Sequence, residues 1–283
     1  MNTTTRIYRK SLMWALSGIM CAAGLMFAEM ASAQIAGTKH NLGSTGTGVN
    51  RFGGTDELCV FCHTPHGADT SAAAPLWNRR ISGTTYQTYD SLGTSTLDGK
   101  TAPVGSVSIA CMSCHDGTQA MNVVINAPGS GNYNPAGAPM AGSWTGANQT
   151  LGVLNSVANL SADLRNDHPI GIQYAGGGFT NTSPVTRGAG VGDPDFVVPQ
   201  SAVLGSGRVW WVDTAAGLAG SRQKTDMSLY SRGPGAGGGG YTGQTEAEPF
   251  VECASCHDPH SANTTFLRIA NTGSAVCLAC HVK

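Results

Sequence analysis

Charged and aromatic residues are scarce in this chain of 283 residues: 12% are charged and 7% are aromatic, whereas glycine occurs 39 times. Beyond residue 33, 13 basic residues face 16 acidic ones, a difference of minus 3. No basic patch is present, so we expect no nucleic-acid partner. Sustained amphipathic periodicity is also hard to find, which argues against long helices. The composition predicts a mostly irregular, coil-rich fold with short helices and few small strands.

Long apolar runs are rare as well, and the one that exists lies near the N-terminus, over residues 12–28. A basic segment precedes it and a small-residue cleavage site follows it: Arg6, Arg9 and Lys10, then Ala31-Ser32-Ala33. This order is typical of a secretory signal peptide, residues 1–33, and predicts an exported mature chain from Gln34. The alternative is a membrane anchor. The run is short for a span, and no later stretch is apolar enough, so we expect no transmembrane anchor.

The cysteines have the most regular spacing in the sequence. Cys21 falls in the predicted leader, and the other eight form four Cys-x-x-Cys-His motifs. These motifs are Cys59, Cys62 and His63; Cys111, Cys114 and His115; Cys253, Cys256 and His257; and Cys277, Cys280 and His281. Two thiols three positions apart can each form a thioether to one porphyrin, and the adjacent histidine then reaches the iron. The pattern predicts four covalently attached haem c groups.

Zinc binding and disulfides are the competing explanations of the cysteines. Cys-x-x-Cys is also a zinc spacing, and an even cysteine count in an exported chain is typical of disulfides. Two four-cysteine zinc sites would leave four identically placed histidines without a role. The motif therefore favours haem.

The remaining histidines match the number of irons. Four histidines lie outside the motifs, namely His40, His66, His168 and His260. They are the candidate distal ligands, and two histidines per iron give a low-spin haem suited to electron transfer and not to catalysis. Methionine is the alternative sixth ligand, and the mature chain contains Met112, Met121, Met140 and Met227.

Two of the spare histidines follow a motif closely. His66 lies three residues after His63, and His260 lies three residues after His257. Ligands this close project in similar directions, and Pro65 or Pro259 stiffens the link, so neither fits the far face of its own haem. Each is expected to reach a neighbouring haem, which brings porphyrins close together.

We interpret residues 34–283 as a single tetrahaem unit organised around a haem chain. Its parts are an N-terminal arm over 34–58, haems 1 and 2 over 59–115, a Gly-rich haem-covering region over 116–252, and haems 3 and 4 over 253–283. The segments Val104 to Ala110 and Gly207 to Val212 are candidate small strands, and the motifs are expected at short helical turns. The tract from Gly233 to Gly240 is predicted to be flexible.

Several segments resemble the multihaem outer-surface cytochromes of metal-reducing bacteria. They are Gly37 to Leu42, Cys59 to Gly67 (CVFCHTPHG), Ala74 to Asn78, Cys111 to Thr118 (CMSCHDGT) and Asn166 to Gly171. The haem count and length are most similar to the OmcE type, which polymerises into extracellular filaments. The resemblance implies bis-histidine haems in a continuous chain, little regular secondary structure, and one distal histidine donated by the next subunit. The Gly233 to Gly240 tract matches no feature of that family.

The sequence thus favours extracellular electron transfer by a tetrahaem cytochrome that forms a head-to-tail homopolymer. His40 lies on a Gly/Ser/Thr-rich arm that behaves as a tether, and sequence alone makes folding back onto its own haem at least as likely as crossing to another subunit. The resemblance favours crossing, so His40 is the predicted joint. Other redox proteins or extracellular acceptors are the expected partners. The alternatives are a discrete periplasmic or surface electron shuttle, and a multihaem reductase, which would need an open iron position.

Overall fold

Antiparallel β-sheet is the main regular structure of the protein. The computed structural model describes residues 34–146, 149–151, 157–182, 192–214, 216 and 218–282. The predicted leader, residues 1–33, lies outside the described residues. From Ile35 onward the chain forms one compact unit.

The described residues contain nine strands and four short α-helices. The strands are β1 (Arg51–Phe52), β2 (Val123–Asn126), β3 (Tyr133–Pro139), β4 (Trp144–Thr145), β5 (Ile172–Gln173), β6 (Gln200–Leu204), β7 (Gly207–Val212), β8 (Met227–Arg232) and β9 (Glu248–Val251). The α-helices are α1 (Ser108–His115), α2 (Gly235–Gly238), α3 (Cys253–Cys256) and α4 (Ala275–Cys280). Single 3-10 turns occur at Gln34–Gly37, Tyr89–Leu92, Tyr174–Gly176, Thr264–Phe266 and Thr272–Ser274.

Five strands form one sheet in the order β5-β9-β8-β7-β6, and the pairs β1-β4 and β2-β3 form two smaller sheets. Every pairing is antiparallel. The prediction of a coil-dominated chain with few small strands was therefore wrong. The strand expected at Gly207 to Val212 is confirmed as β7. The strand expected at Val104 to Ala110 is wrong, because that segment leads into α1 at Ser108.

The hydrophobic core consists of three clusters, and each lies against haem motifs. Phe52, Val60, Phe61, Val124 and Met140 pack beside the first motif. A second cluster contains Trp77, Ile109, Met112 and Leu164 beside the second motif. The largest cluster joins the five-stranded sheet to the last two motifs, and Tyr174, Phe179, Trp210, Met227 and Val276 are among its members. The core thus contacts all four motifs, and its first and largest clusters join motifs 1, 3 and 4 to the sheets.

The N-terminal arm is packed rather than loosely tethered. Phe52 is 1% exposed and meets Phe61 edge to face with ring centroids 6.3 Å apart. The backbone N–H of Phe52 also donates to the carbonyl of Leu42, and that of Ser44 donates to the carbonyl of Thr55. One buried aromatic residue and these turn bonds order a segment whose composition indicated flexibility.

The glycine tract after β8 also has a defined path. Residues Gly235–Gly238 form the short helix α2, and Arg232 donates from Nη1 to the carbonyl of Gly239 at 2.8 Å. A Cβ atom at Gly238 would overlap the backbone of Gly233. Glycine is needed there because the two backbone segments approach closely.

No helix in the part of the chain that the structure describes is both long and apolar enough to cross a bilayer.

Candidate haem site

Each Cys-x-x-Cys-His motif forms about one helical turn. Motif 2 lies within α1, motif 3 begins with α3, and motif 4 ends α4. Motif 1 is a hydrogen-bonded turn in which the backbone N–H of His63 donates to the carbonyl of Cys59 at 2.7 Å. In each motif the turn brings the two cysteines and the histidine to neighbouring positions, as a single porphyrin requires.

The residues between the cysteines anchor three of the turns in the core. Phe61, Met112 and Ser255 are at most 2% exposed. The cysteines of the same motifs are exposed or partly exposed. Each of these three turns therefore has a buried side and a side that carries the thiols. Motif 4 differs, since Leu278 is 50% exposed.

The thiols of successive motifs are neighbours in chain order. The pKa of Cys62 in motif 1 is raised to about 12, chiefly by burial and secondly by the electrostatic influence of Cys114 in motif 2. A hydrogen bond between the thiols of Cys111 and Cys253 raises the pKa of the first and lowers that of the second. Burial raises the pKa of Cys256, the charge of Arg268 opposes this, and Cys277 of motif 4 adds to the increase. The attachment points therefore run from motif 1 to 2 to 3 to 4.

None of these eight cysteines, all of which the structure describes, forms a disulfide. Among the described residues, no three His, Cys, Asp or Glu side chains converge on a position for a bare metal ion. A haem iron receives four nitrogens from its porphyrin and needs only two ligands from the protein.

Three motif histidines are oriented by backbone carbonyls. His63 Nδ1 lies 2.7 Å from the carbonyl oxygen of Pro75, and His115 Nδ1 lies 2.7 Å from that of Ala158. His257 Nδ1 lies 2.8 Å from the carbonyl oxygen of Thr265. A carbonyl only accepts, so Nδ1 carries the proton and Nε2 keeps its lone pair for a metal. His281 of motif 4 packs against Phe196, with ring centroids 4.4 Å apart.

Four histidines form two facing pairs. The ring centroids of His63 and His260 are 6.2 Å apart, and those of His40 and His115 are 6.3 Å apart. An imidazole nitrogen binds a metal at about 2 Å and lies about 1 Å from its ring centre, so two imidazoles on opposite sides of one iron have centres about 6 Å apart. Both pairs therefore have the spacing of a bis-histidine haem. His260 lies opposite His63 of motif 1 and not opposite His257, the histidine next to it in sequence.

The distal members of these pairs are also held through Nδ1. His260 Nδ1 lies 3.2 Å from the Asp258 carboxylate, whose Oδ1 also accepts the backbone N–H of His260. Burial raises the pKa of Asp258, but these hydrogen bonds and the charges of Lys224 and Arg268 outweigh it and hold that pKa well below its usual range. Asp258 is therefore a carboxylate that fixes the direction of the His260 ring.

His40 packs inside its own chain. Its ring stacks on Phe266 with centroids 4.0 Å apart, and its Nδ1 lies 3.4 Å from the carbonyl oxygen of Pro259. Burial, and secondly the nearby His115, lowers the pKa of His40 to about 4, so the ring is neutral and able to ligate. This is the folded-back arrangement that the sequence left open. The role of His40 between subunits stays a prediction.

The two other spare histidines are exposed. His168 Nδ1 lies 3.1 Å from the carbonyl oxygen of Pro169. The ring of His66 has no hydrogen bond and no ring contact with any described residue, although its backbone carbonyl accepts bonds from Thr64 and Asn126. The structure thus brings four of the eight candidate ligands together in pairs and leaves His66 and His168 at the surface.

The flanking segment from Ala74 to Asn78 supports motif 1, a role that spacing alone did not reveal. Pro75 supplies the carbonyl for His63, and Trp77 meets the His63 ring edge to face at 6.0 Å. The fully buried Asn78 side chain donates to the carbonyls of Val60 and Asn126 at 2.6 and 2.9 Å. It therefore connects the first motif to β2.

Arg79 is a buried cation that the sequence reasoning missed. It is 0% exposed, and its guanidinium donates to four backbone carbonyls at 2.9–3.2 Å: those of Ser113, Ala120, Met121 and Val123. No carboxylate of the described residues forms an ion pair with it. Its charge lowers the pKa of Cys62, which places it beside motif 1, while Ser113 belongs to motif 2. Arg79 is followed directly by Arg80, and nothing in the sequence marks the first of the two for burial.

Comparison with known protein families finds a match in the C-terminal part of the chain. The family described as a doubled CXXCH motif matches residues 248–283, which contain motifs 3 and 4. No curated protein matches the chain. The doubled motif points to a c-type multihaem cytochrome, and such motifs indicate covalently bound haem c.

Proposed function

We propose that the protein is a tetrahaem electron-transfer cytochrome with two histidines on each iron. Two pairs of facing imidazoles carry the proposal. The ring centroids of His63 and His260 are 6.2 Å apart, and those of His40 and His115 are 6.3 Å apart. Each pair contains one motif histidine and one spare histidine. A haem held between two such imidazoles would have no open iron position for a substrate, which argues against a reductase.

The chain's own residues prepare each site for a haem. Bound haem supplies reversible one-electron exchange at iron. The paired thiols would hold the porphyrin edge; in motifs 1 to 3 the buried residues between the cysteines hold the turn, and the Nδ1 hydrogen bonds direct Nε2 of His63, His115 and His257. Because the thiols of motifs 1 to 4 are neighbours in order, four haems would lie in a continuous series through the protein.

Two spare histidines remain for the irons of motifs 3 and 4. His66 and His168 are both exposed. We propose that His66, rather than the predicted His40, reaches an iron of another copy, because its ring forms no hydrogen bond and no ring contact with the described residues of its own chain and its neighbour Pro65 keeps it from the far face of its own haem. A ligand that crosses in this way makes a head-to-tail contact that does not close, so copies add into a filament.

The resemblance to filament-forming outer-surface cytochromes supports this assembly, and it supports export to the cell surface. A discrete shuttle in the periplasm or at the surface is the second candidate function. One observation favours it: His40, on the arm expected to tether the next subunit, is packed against Phe266 and faces His115 of the same chain.

Electron microscopy of the mature protein and two variants separates these functions. His66→Ala is expected to abolish filaments while four haems stay attached. His40→Ala is expected to leave filaments intact and to change the spin state of the haem at motif 2. Filaments lost only in His40→Ala would transfer the joint to His40. A parent protein that stays monomeric with four low-spin haems would establish the shuttle instead.

A further inference from the structure

The two facing histidine pairs differ in the angle between their rings. The planes of His63 and His260 are 12° apart, close to parallel, whereas those of His40 and His115 are 74° apart, close to perpendicular. We propose that the chain holds two electronically different low-spin haems, one at motif 1 with parallel ligands and one at motif 2 with perpendicular ligands. This inference rests on the proposed function and assigns His260 to motif 1 and His40 to motif 2.

The ring angle matters because imidazole donates π-electron density into the iron d orbitals perpendicular to its plane. Two parallel rings act on the same d orbital and separate it in energy from its partner. Two perpendicular rings act on the two orbitals equally and leave them almost degenerate. A ferric haem of the first kind has a rhombic EPR spectrum, and one of the second kind has a highly anisotropic spectrum dominated by one large g value.

Contacts on both rings of the parallel pair fix their angle. His63 is held by its hydrogen bond to the Pro75 carbonyl and by the edge of Trp77. His260 is held at Nδ1 by the buried Asp258 carboxylate. A ring that is bonded on the side away from the metal cannot rotate about its metal bond without breaking that bond. The parallel orientation is therefore built into the two loops.

The perpendicular pair is fixed by different contacts. His115 is held by the carbonyl of Ala158 at 2.7 Å. His40 lies flat on Phe266, with an interplanar angle of 12°, and its Nδ1 bond to the Pro259 carbonyl is long at 3.4 Å. The Phe266 ring therefore sets the plane of His40. Phe266 is a positioning residue, since it contacts the ligand and not the motif thiols.

The orientation also links the two haems to one loop. Pro259 and His260 are adjacent in sequence, and the first supports the ligand of motif 2 while the second faces the histidine of motif 1. Phe266 belongs to the 3-10 turn Thr264–Phe266 just beyond. The segment after motif 3 thus determines ligand geometry at two haems attached elsewhere in the chain.

Low-temperature EPR of the fully oxidised mature holoprotein tests the inference. The parent is expected to contain both a rhombic and a highly anisotropic low-spin component. His260→Ala should remove one haem's worth of the rhombic component and leave the anisotropic one. His40→Ala should do the reverse. Phe266→Leu keeps all eight histidines and should shift the large g value of the anisotropic component without affecting the rhombic one.

The outcomes separate this inference from the proposed function. Fewer than four haems by mass, or a high-spin iron in the parent, would contradict the proposed function itself. Four low-spin haems with the two components exchanged between the variants, or without any anisotropic component, would overturn only the ligand assignment and orientation. Asp258→Asn provides the matched control on the other pair, since it weakens the Nδ1 bond of His260 and should perturb only the rhombic component.

Discussion

The carboxylate of Glu252 connects three parts of the structure at one buried point. It accepts hydrogen bonds from Arg232 Nε of β8 at 2.6 Å and from the Ser108 hydroxyl of α1 at 2.5 Å. Glu252 is also the residue before α3, where its backbone N–H donates to the Ser255 hydroxyl at 2.9 Å. The side chains of Arg232 and Glu252 are 1% and 0% exposed. Motifs 2 and 3 and the large sheet therefore depend on one ion pair.

Glu252→Gln removes the charge and keeps the shape. The Arg232 guanidinium is then buried without a counter-charge, which costs about 3–5 kcal/mol in comparable buried pairs. A typical domain has about 5–15 kcal/mol of stability in total, so this change removes a large share of it. The ion pair itself adds little net stability, because burial disfavours the charged carboxylate. Burial raises the pKa of Glu252 despite the charge of Arg232. Arg232→Met combined with Glu252→Gln should therefore lose less than the sum of the single changes.

Denaturant unfolding of the mature holoprotein, followed by Soret circular dichroism, measures both effects. Covalent haems stay attached during unfolding, so the signal reports loss of the folded haem environment. The exposed Glu57→Gln is the matched control and should stay within about 0.5 kcal/mol of the parent. A Glu252→Gln protein within about 1 kcal/mol of the parent would refute the role of the pair.

Three further predictions concern residues outside the ligand set. Phe52→Ala is expected to lower the free energy of unfolding by about 3–5 kcal/mol, because it empties a core position. Val203 is 68% exposed, so Val203→Ala is the control. Equal losses of stability in the two variants would contradict the prediction. Asn78→Ala should lower the free energy of unfolding by about 2 kcal/mol, since it removes the partner of the Asn126 backbone N–H and the donor to the carbonyls of Val60 and Asn126. An unchanged denaturation midpoint would disprove this. Arg79→Met should lower the reduction potentials of the haems at motifs 1 and 2, because a buried cation disfavours the ferric state. Arg79→Lys keeps the charge and should preserve these potentials. Identical spectroelectrochemical titration curves for the parent and Arg79→Met would refute the prediction.

The haem motifs were predictable because their chemistry is local. Two cysteines and a histidine within five residues form one turn whatever surrounds them, so their conformation did not depend on distant contacts. The buried residues between the cysteines, such as Phe61 and Met112, also occupy positions that a single turn fixes. Local spacing was sufficient for these parts of the site.

The sheet was missed because its pairings are distant in sequence and average composition hides them. β5 pairs with β9, about eighty residues later, and Gln173 faces Phe250 in that pairing. The sequence contains one local indication of the sheet. Gly205-Ser206 is a two-residue loop between β6 and β7, and Gly205 has a φ of 61°. Glycine before a polar residue between two strand-forming segments is typical of a tight hairpin.

The ligand pairs lay beyond sequence reasoning for a related reason. His63 and His260 are 197 residues apart in sequence, and only the folded path of the segment after motif 3 brings their ring centroids to 6.2 Å. The arm carrying His40 was interpreted as a tether from its Gly, Ser and Thr content. The burial of Phe52, a single residue, overrides that composition.

All four motifs of the chain are proposed to carry haem. An intact mass of the mature protein, measured without reduction after co-expression with a cytochrome c maturation system, tests it most directly. The expected result is the mass of residues 34–283 plus four haems, with no thiol available to an alkylating reagent. A mass with fewer than four haems, or alkylation at any of the eight motif cysteines, would contradict it.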